Sequence, residues 1–567
     1  MLIKKRRLFL LGIILCSMGF SQNLETIAKE KPFKYSGSIQ AEIGGYAAAG
    51  IPDRRNNFLW SLSGNPTFSL YGINIPFSFI ISDQQKNFRQ PFDQFGLSPY
   101  WKWITVHGGF RNLTYSNYTL AGHTFLGIGI DLMPKLFRFS AMYGRFQKAV
   151  PEDTTANPAN SLSQYSYPAY KRRGYAFRIG FGKENNYVDL IFLKAKDDSS
   201  SIPYKPVKQL VLPGDNAVIG LNSTVTIIKK ITIKFDGAVS ALTKDLTAAD
   251  YNLEDVPLHK LVGFLVKPKS STTISYALET SVKYASKPFT ISARYQRVAP
   301  EYESFGAYFI QSDMERITVS PGFVVAKNKL RVNGSFGWQH DNLFKQKLAT
   351  TKRIIGSANI DYQANATFGM TLQYSNFGTS QSPGSKSLND TAKIDQISHS
   401  IVFVPRVLLL KKDNKLMHNI VLTSSFQILN DKNKLNSTSY EMKTLNNNVN
   451  YLFGYLPKKI NTNIGFNTNY TITAAAKMLS FGFTTGIANT FAKDKLNSSV
   501  QYTWNKNYLN SSSNGYTMQA NVVLTYAPVN HHSLSLDMSL TNNKSIDTTI
   551  NPSFTEFTGL VRYTLTY

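Results

Sequence analysis

Cysteine is nearly absent from this 567-residue chain, with Cys16 the only one. Disulfides, thiolate metal sites and cysteine nucleophiles are thereby excluded from the body of the protein. Long apolar runs are missing too. Past residue 20 nothing approaches the roughly 18 consecutive apolar residues that a membrane-crossing helix requires, which excludes a helical membrane protein. Acidic residues are scarce: Asp and Glu total 35 against 62 Lys and Arg, for a formal net charge of +27. Such a balance implies anionic partners. The signatures of catalysis are missing as well. His107, His123, His259, His340, His399, His418, His531 and His532 show no HExxH spacing, and there is no GxSxG elbow, phosphate loop or acidic calcium loop. Glu301, Glu303, Asp313 and Glu315 cluster on one connection and read as a solvated acidic loop. No enzyme activity, metal or cofactor is expected.

The amino terminus carries an address. Lys4, Lys5, Arg6 and Arg7 precede the apolar residues 8–15, and Gly19-Phe20-Ser21 offers small residues where a signal peptidase reads. Residues 1–21 are expected to be a cleaved signal peptide, with Gln22 opening the mature chain and export following. Leu15 before Cys16 does not fit a lipoprotein signal.

Alternation dominates the remainder. In residues 368–375, Phe, Met, Leu and Tyr take one face of an extended chain while Gly, Thr, Gln and Ser take the other. The same period of two recurs in 175–181, 231–239, 289–295, 330–338, 518–526 and 534–540. Aromatics make up 13% of the chain and mean hydropathy is only -0.21. Both values suit strands that are apolar outward and polar inward, because the two faces cancel in any window average. A polar face of Gly, Ser, Asn and Arg fits a wet lumen better than a dry core.

Connections alternate between tight and long. Tight turns are expected at 133–135, 183–185, 229–230, 286–288, 327–329, 364–365, 411–415, 456–458, 493–495 and 528–532. Long polar stretches separate them at 150–172, 197–215, 243–270, 299–313, 341–350, 378–393 and 430–439. The chain ends on PSFTEFTGLVRYTLTY, with Phe557, Gly559, Val561, Tyr563, Leu565 and Tyr567 on one face. These repeated strands and this terminus resemble the Gram-negative outer-membrane β-barrel class, across essentially all of residues 22–567. The resemblance implies a single large antiparallel transmembrane β-barrel with brief periplasmic turns and long extracellular loops. It also implies that Tyr563, Leu565 and Tyr567 form the signal read by the barrel-assembly machinery. Counting strands gives about 26, with 24 as the alternative, taking 101–107 and 110–118 as a hairpin around Gly108-Gly109. No plug domain and no soluble domain are expected within the chain.

Charge then suggests sites. Lys and Arg at strand ends would meet lipopolysaccharide phosphates and lipid headgroups. Arg138, Arg178, Lys234, Arg294, Arg331 and Arg562 fall on polar faces and would line the lumen, where Asp236, Asp361 and Asp537 share the face and could pair with them. In the loop at 243–270, the apolar residues Leu258, His259, Leu261, Phe264 and Val266 are expected to form a constriction or to contact a partner protein. Nucleic acid is not an expected partner. The reading that follows is an outer-membrane conduit for polar or anionic solutes or exported polymers; the alternative is a non-catalytic accessory subunit of an envelope complex, bound to other envelope proteins.

Overall fold

The computed structural model describes residues 32–83, 94–152, 168–206, 211–251, 266–347, 349–383, 395–410, 415–431, 441–546 and 552–567. The expected signal peptide lies outside these residues. The fold is an all-β closed barrel. Its 29 extended segments form one antiparallel sheet, and the wall closes where Ser38–Ala49 pairs with Phe554–Thr566, from Ser38 opposite Thr566 to Ala49 opposite Thr555. Three wall strands are each broken in two, so the wall has 26 strands.

Each break has a local cause. Gly37, with φ 118°, separates Phe33–Ser36 from Ser38–Ala49, and a Cβ there would lie 2.4 Å from the Asn65 carbonyl oxygen. On the neighbouring strand, Asn65 and Pro66 divide Phe58–Gly64 from Thr67–Leu70. Proline has no N–H for the ladder; instead the Ser38 amide donates to Asn65 Oδ1 at 3.0 Å. Ser98 and Pro99 interrupt the third, between Gln94–Leu97 and Tyr100–Trp101.

That third strand corrects the sequence reading. Residues 101–107 and 110–118 are not a hairpin. Ile104–Asn112 runs as one strand straight through Gly108-Gly109, pairing with Thr124–Leu132 from Ile104 opposite Leu132 to Asn112 opposite Thr124. Gly109 serves close strand approach: it has φ 88°, and a Cβ on it would sit 2.4 Å from the Phe95 carbonyl oxygen. The total stays at 26 because residues 94–101 supply the strand that the hairpin would have added.

Tight and long connections alternate as expected. Short turns at 184–185, 228–230, 326–329 and 492–495 lie at the end where the rings of Tyr35 and Tyr567 meet, 5.3 Å between centroids. Ile228 and Lys229 both take positive φ, the backbone that matches a two-residue hairpin to twisted strands. Most outward residues are large and apolar, and among the most exposed are Ile128, Phe181, Phe336 and Phe466, at 64–66%. A continuous apolar belt around a closed sheet leaves no unpaired backbone edge and no surface suited to water, the two conditions for spanning a bilayer with strands.

Candidate functional site

The lumen divides into two sectors that share a wall design and differ in what faces inward. From Thr124–Leu132 through Met314–Val325 an apolar cluster faces inward among paired charges. Phe125, Met142, Ile191, Leu193, Val218, Ala238, Leu242, Ala277, Val298 and Met314 are buried in one cluster. What buries them is the protein itself: residues 113–123 and 299–313, the connections after Ile104–Asn112 and after Phe289–Val298, fold into the barrel and meet there. Tyr115, Tyr118, Leu120, Tyr302 and Phe305 complete the cluster from the two loops.

Polar contacts fix the loops to each other and to the wall. Tyr302 donates its hydroxyl to the Tyr118 carbonyl at 2.6 Å, Ser304 to the Thr119 carbonyl at 2.5 Å, and the Ala121 amide to the Gly306 carbonyl at 2.9 Å. On the wall side, the Asn117 amide donates to Asp236 at 3.0 Å, the Phe305 amide to Asn216 Oδ1 at 3.0 Å, and Tyr118 Oη to Glu279 at 3.2 Å. Gly306 is required by closeness alone, since a Cβ there would lie 2.3 Å from Leu193 Cδ1 and 2.7 Å from the Thr119 carbonyl oxygen. Burial pushes the Tyr115 hydroxyl up to about 12 and the His123 imidazole down to about 4. His123 lies parallel to the Tyr308 ring at 4.0 Å, with Phe146 edge-on at 5.0 Å.

The second sector runs from Leu330–His340 round to Phe554–Thr566; charged residues such as Arg331, Asp361, Asp537 and Arg562 face inward at its two ends, and between Met442–Tyr455 and Ser512–Tyr526 the inward residues are neutral and mostly polar. In register across the wall, Asn448, Asn467, Gly482 and Asn505 form one inward row, and Asn463, Gly486, Gln501 and Asn521 another. Thr484 and Thr503 exchange a hydrogen bond at 3.0 Å between these rows. Amides and hydroxyls of this kind accept and donate equally and favour neither sign of charge.

Of the basic residues singled out in the sequence, most are paired. Arg138 makes a bidentate contact with Asp189 at 2.8 and 2.9 Å, and Arg178 lies 3.9 Å from the same carboxylate. Arg294 binds Glu279 at 2.6 Å; Arg562 binds Glu42 at 2.8 Å and Asp537 at 3.3 Å, across the closing seam. Arg331 stands opposite Asp361 in register. Lys234, between Thr224 and Ser281, is exposed on the inward face. Sequence reading did not pick out the partners Asp189, Glu279 and Glu42, nor Arg316 and Arg353, which also face inward; strand register is the signal that finds them.

Leu258, His259, Leu261 and Phe264 lie outside the described residues. Val266, at the end of that segment, is buried with Ala217 and Ala241, and both of these alanines are on the outward rows of their strands. The carboxyl-terminal triplet sits in the seam: the Tyr567 amide donates to the Gly37 carbonyl at 2.9 Å, Leu565 pairs with Ile39 and His532, and Tyr563 Oη lies 2.7 Å from His532 Nδ1.

No family model matches the chain, and no curated protein does. Among solved structures it is similar to the FrpB iron transporter from Neisseria meningitidis, at 9% identity and TM-score 0.38, covering 96% of this chain and 83% of that one. The P pilus usher PapC translocation pore overlaps at 9% identity and TM-score 0.34, over 94% of this chain and 99% of its own. OccK10 (OpdN) of Pseudomonas aeruginosa overlaps at 10% identity and TM-score 0.33, over 70% and 99%. All three are Gram-negative outer-membrane β-barrels.

Proposed function

We propose that this protein is a transmembrane barrel of the Gram-negative outer membrane that conducts polar solutes through the open sector of its lumen. The observation that carries this reading is the contrast between the two sectors. Two loops seal one side with a dry cluster, while the other side keeps rows of Asn, Thr, Ser and Gln facing inward. Neutral amides and hydroxyls replace water around a passing solute without holding it tightly, as conduction demands. Lysines in the turns and at strand ends face phospholipid and lipopolysaccharide phosphates, and the seam-bound Tyr567 is presented to the assembly machinery. Single-channel recording in a planar bilayer tests the reading. Discrete conductance steps are expected from the wild-type protein, and their absence from correctly folded, heat-modifiable protein would remove it.

One observation favours a second role as an accessory subunit. On the outward face, Ser424 donates to Asn447 at 2.7 Å, with Thr468 next in register, between the apolar rows Phe426, Leu445, Tyr470 and Leu422, Val449, Phe466. A polar row inside an apolar belt suits contact with another membrane protein better than contact with acyl chains. A partner co-purifying in stoichiometric amount would support this role.

A further inference from the structure

The second inward loop leaves the sealed sector at residues 308–311 and borders a recess of about 440 Å³. Its wall includes Arg316, Gln296 and the ion pair of Arg294 with Glu279, and Tyr308 and Phe309 form a shelf beside them. Phe309 is fully exposed, at 100%. Such exposure is unexpected for a phenyl ring inside a barrel, on a loop whose Tyr302 and Phe305 are buried.

The cations opposite the shelf are unusual for this lumen. Arg316 faces Gln296 on one side and Gln339 on the other, and Gln339 faces Arg353, so the two arginines stand on one inward row with a single strand between them. Their backbones are about 10 Å apart, and only Arg316 borders the recess. Arg294 is on the adjacent row but is taken by Glu279. Among the described residues no carboxylate lies within ion-pair distance of Arg316 or Arg353. Arg316 Nη2 reaches only Met314 Sδ, at 3.2 Å, and the Arg353 guanidinium lies over the Phe377 ring at 5.2 Å. The Nε atoms of both are buried without an acceptor. Arg138, Arg178, Arg294 and Arg562 have found acids; among the described residues these two have not.

We propose that this recess binds an arene carboxylate, with the carboxylate on Arg316 and the flat apolar body against Phe309 and Tyr308. A guanidinium fork presents two parallel donors spaced for the two oxygens of a carboxylate. An exposed ring beside it rewards a ligand that brings apolar area as well as charge. Inorganic anions satisfy the first feature and not the second. The proposal rests on the conduit reading for the ligand's route into the lumen, and on the recess alone for its recognition.

Calorimetric titration of the full-length protein in detergent tests it, using benzoate, acetate, inorganic phosphate and neutral benzyl alcohol as probes. Benzoate is expected to bind, acetate and phosphate about tenfold more weakly or worse, and benzyl alcohol not measurably. Arg316→Gln is expected to weaken benzoate about tenfold or more, and Arg316→Lys less than Arg316→Gln because it keeps the charge and loses the fork. Phe309→Ala is expected to weaken benzoate and leave acetate unchanged. Heat-modifiable mobility of each variant shows that the barrel has formed. Absence of benzoate binding to the wild type, equal binding of benzyl alcohol, or an unaffected Arg316→Gln variant would overturn the proposal. Binding in detergent without conductance in a bilayer would remove the conduit and leave the site; conductance without binding would do the reverse.

Discussion

The two sectors of this barrel are built from the same kind of strand and do opposite things with it. Between Thr124–Leu132 and Met314–Val325 the inward row reads Ile191, Leu193, Val218, Ala238, Leu242; across the lumen it reads Asn448, Asn463, Thr484, Thr503, Asn521. Outward, both present the same apolar belt. Period-two alternation therefore decides where the wall is, and the identity of the inward residue decides whether the space behind it is filled or wet. Apolar inward residues oblige something dry to cover them, here two loops; amides and hydroxyls oblige only water.

The largest effect expected from disturbing this arrangement is at Asp189, which is buried with a side-chain exposure of 2% while holding Arg138 and facing Arg178. Asp189→Asn leaves two guanidiniums in the sealed sector without their carboxylate. A loss of about 3–5 kcal/mol is expected, read as a lowered thermal midpoint in detergent, together with a reversal potential moved toward anions. Next comes Leu120, fully buried in the loop cluster. Leu120→Ala is expected to cost about 2–5 kcal/mol of loop seating and to raise single-channel conductance, whereas Thr503→Ala in the open sector should stay within about 0.5 kcal/mol. Outside the lumen, Phe336→Arg places a charge in the lipid-facing belt at a cost of about 2–4 kcal/mol, while Ser335→Arg, one residue away on the inward face, should be mild. Equal tolerance of the two in refolding titrations would contradict the assignment of faces.

The smallest effect is one of pH. The His123 imidazole is held down at about 4 because burial penalises its charged form, against an ordinary value near 6.5. Between those values the unfolded loop binds a proton that the seated loop does not, so its stability is complete above about pH 6.5 and declines as pH falls toward 4. Conductance should rise on acidification through this window, and His123→Phe should flatten the dependence.

Much of this fold was legible in the sequence because a two-residue period is a local property. Residues 330–338 and 368–375 declare their faces without reference to any neighbour, and the lysine-bearing turns mark one end. The failures share a different cause. Gly108-Gly109 reads as a turn, yet Gly109 serves close approach to residues 95–96, which a local reading cannot place. Residues 113–118 pass for part of a strand until residues 299–313 arrive from nearly two hundred positions away to cover them. Alternation alone assigns the basic candidates a face, but pairing such as Arg138 with Asp189 or Arg562 with Glu42 depends on register between strands. For the same reason Arg316 and Arg353, without an acid among the described residues, emerged only from the three-dimensional arrangement.

Cysteine scanning tests the division of the lumen most directly, since Cys16 is the sole cysteine to be removed from the background. A charged, membrane-impermeant thiol reagent is expected to label Asn505→Cys in the folded barrel rapidly and Ile191→Cys only after denaturation. Equal labelling of the two positions in the native state would show that the inward loops seal nothing, and the two-sector account would fall.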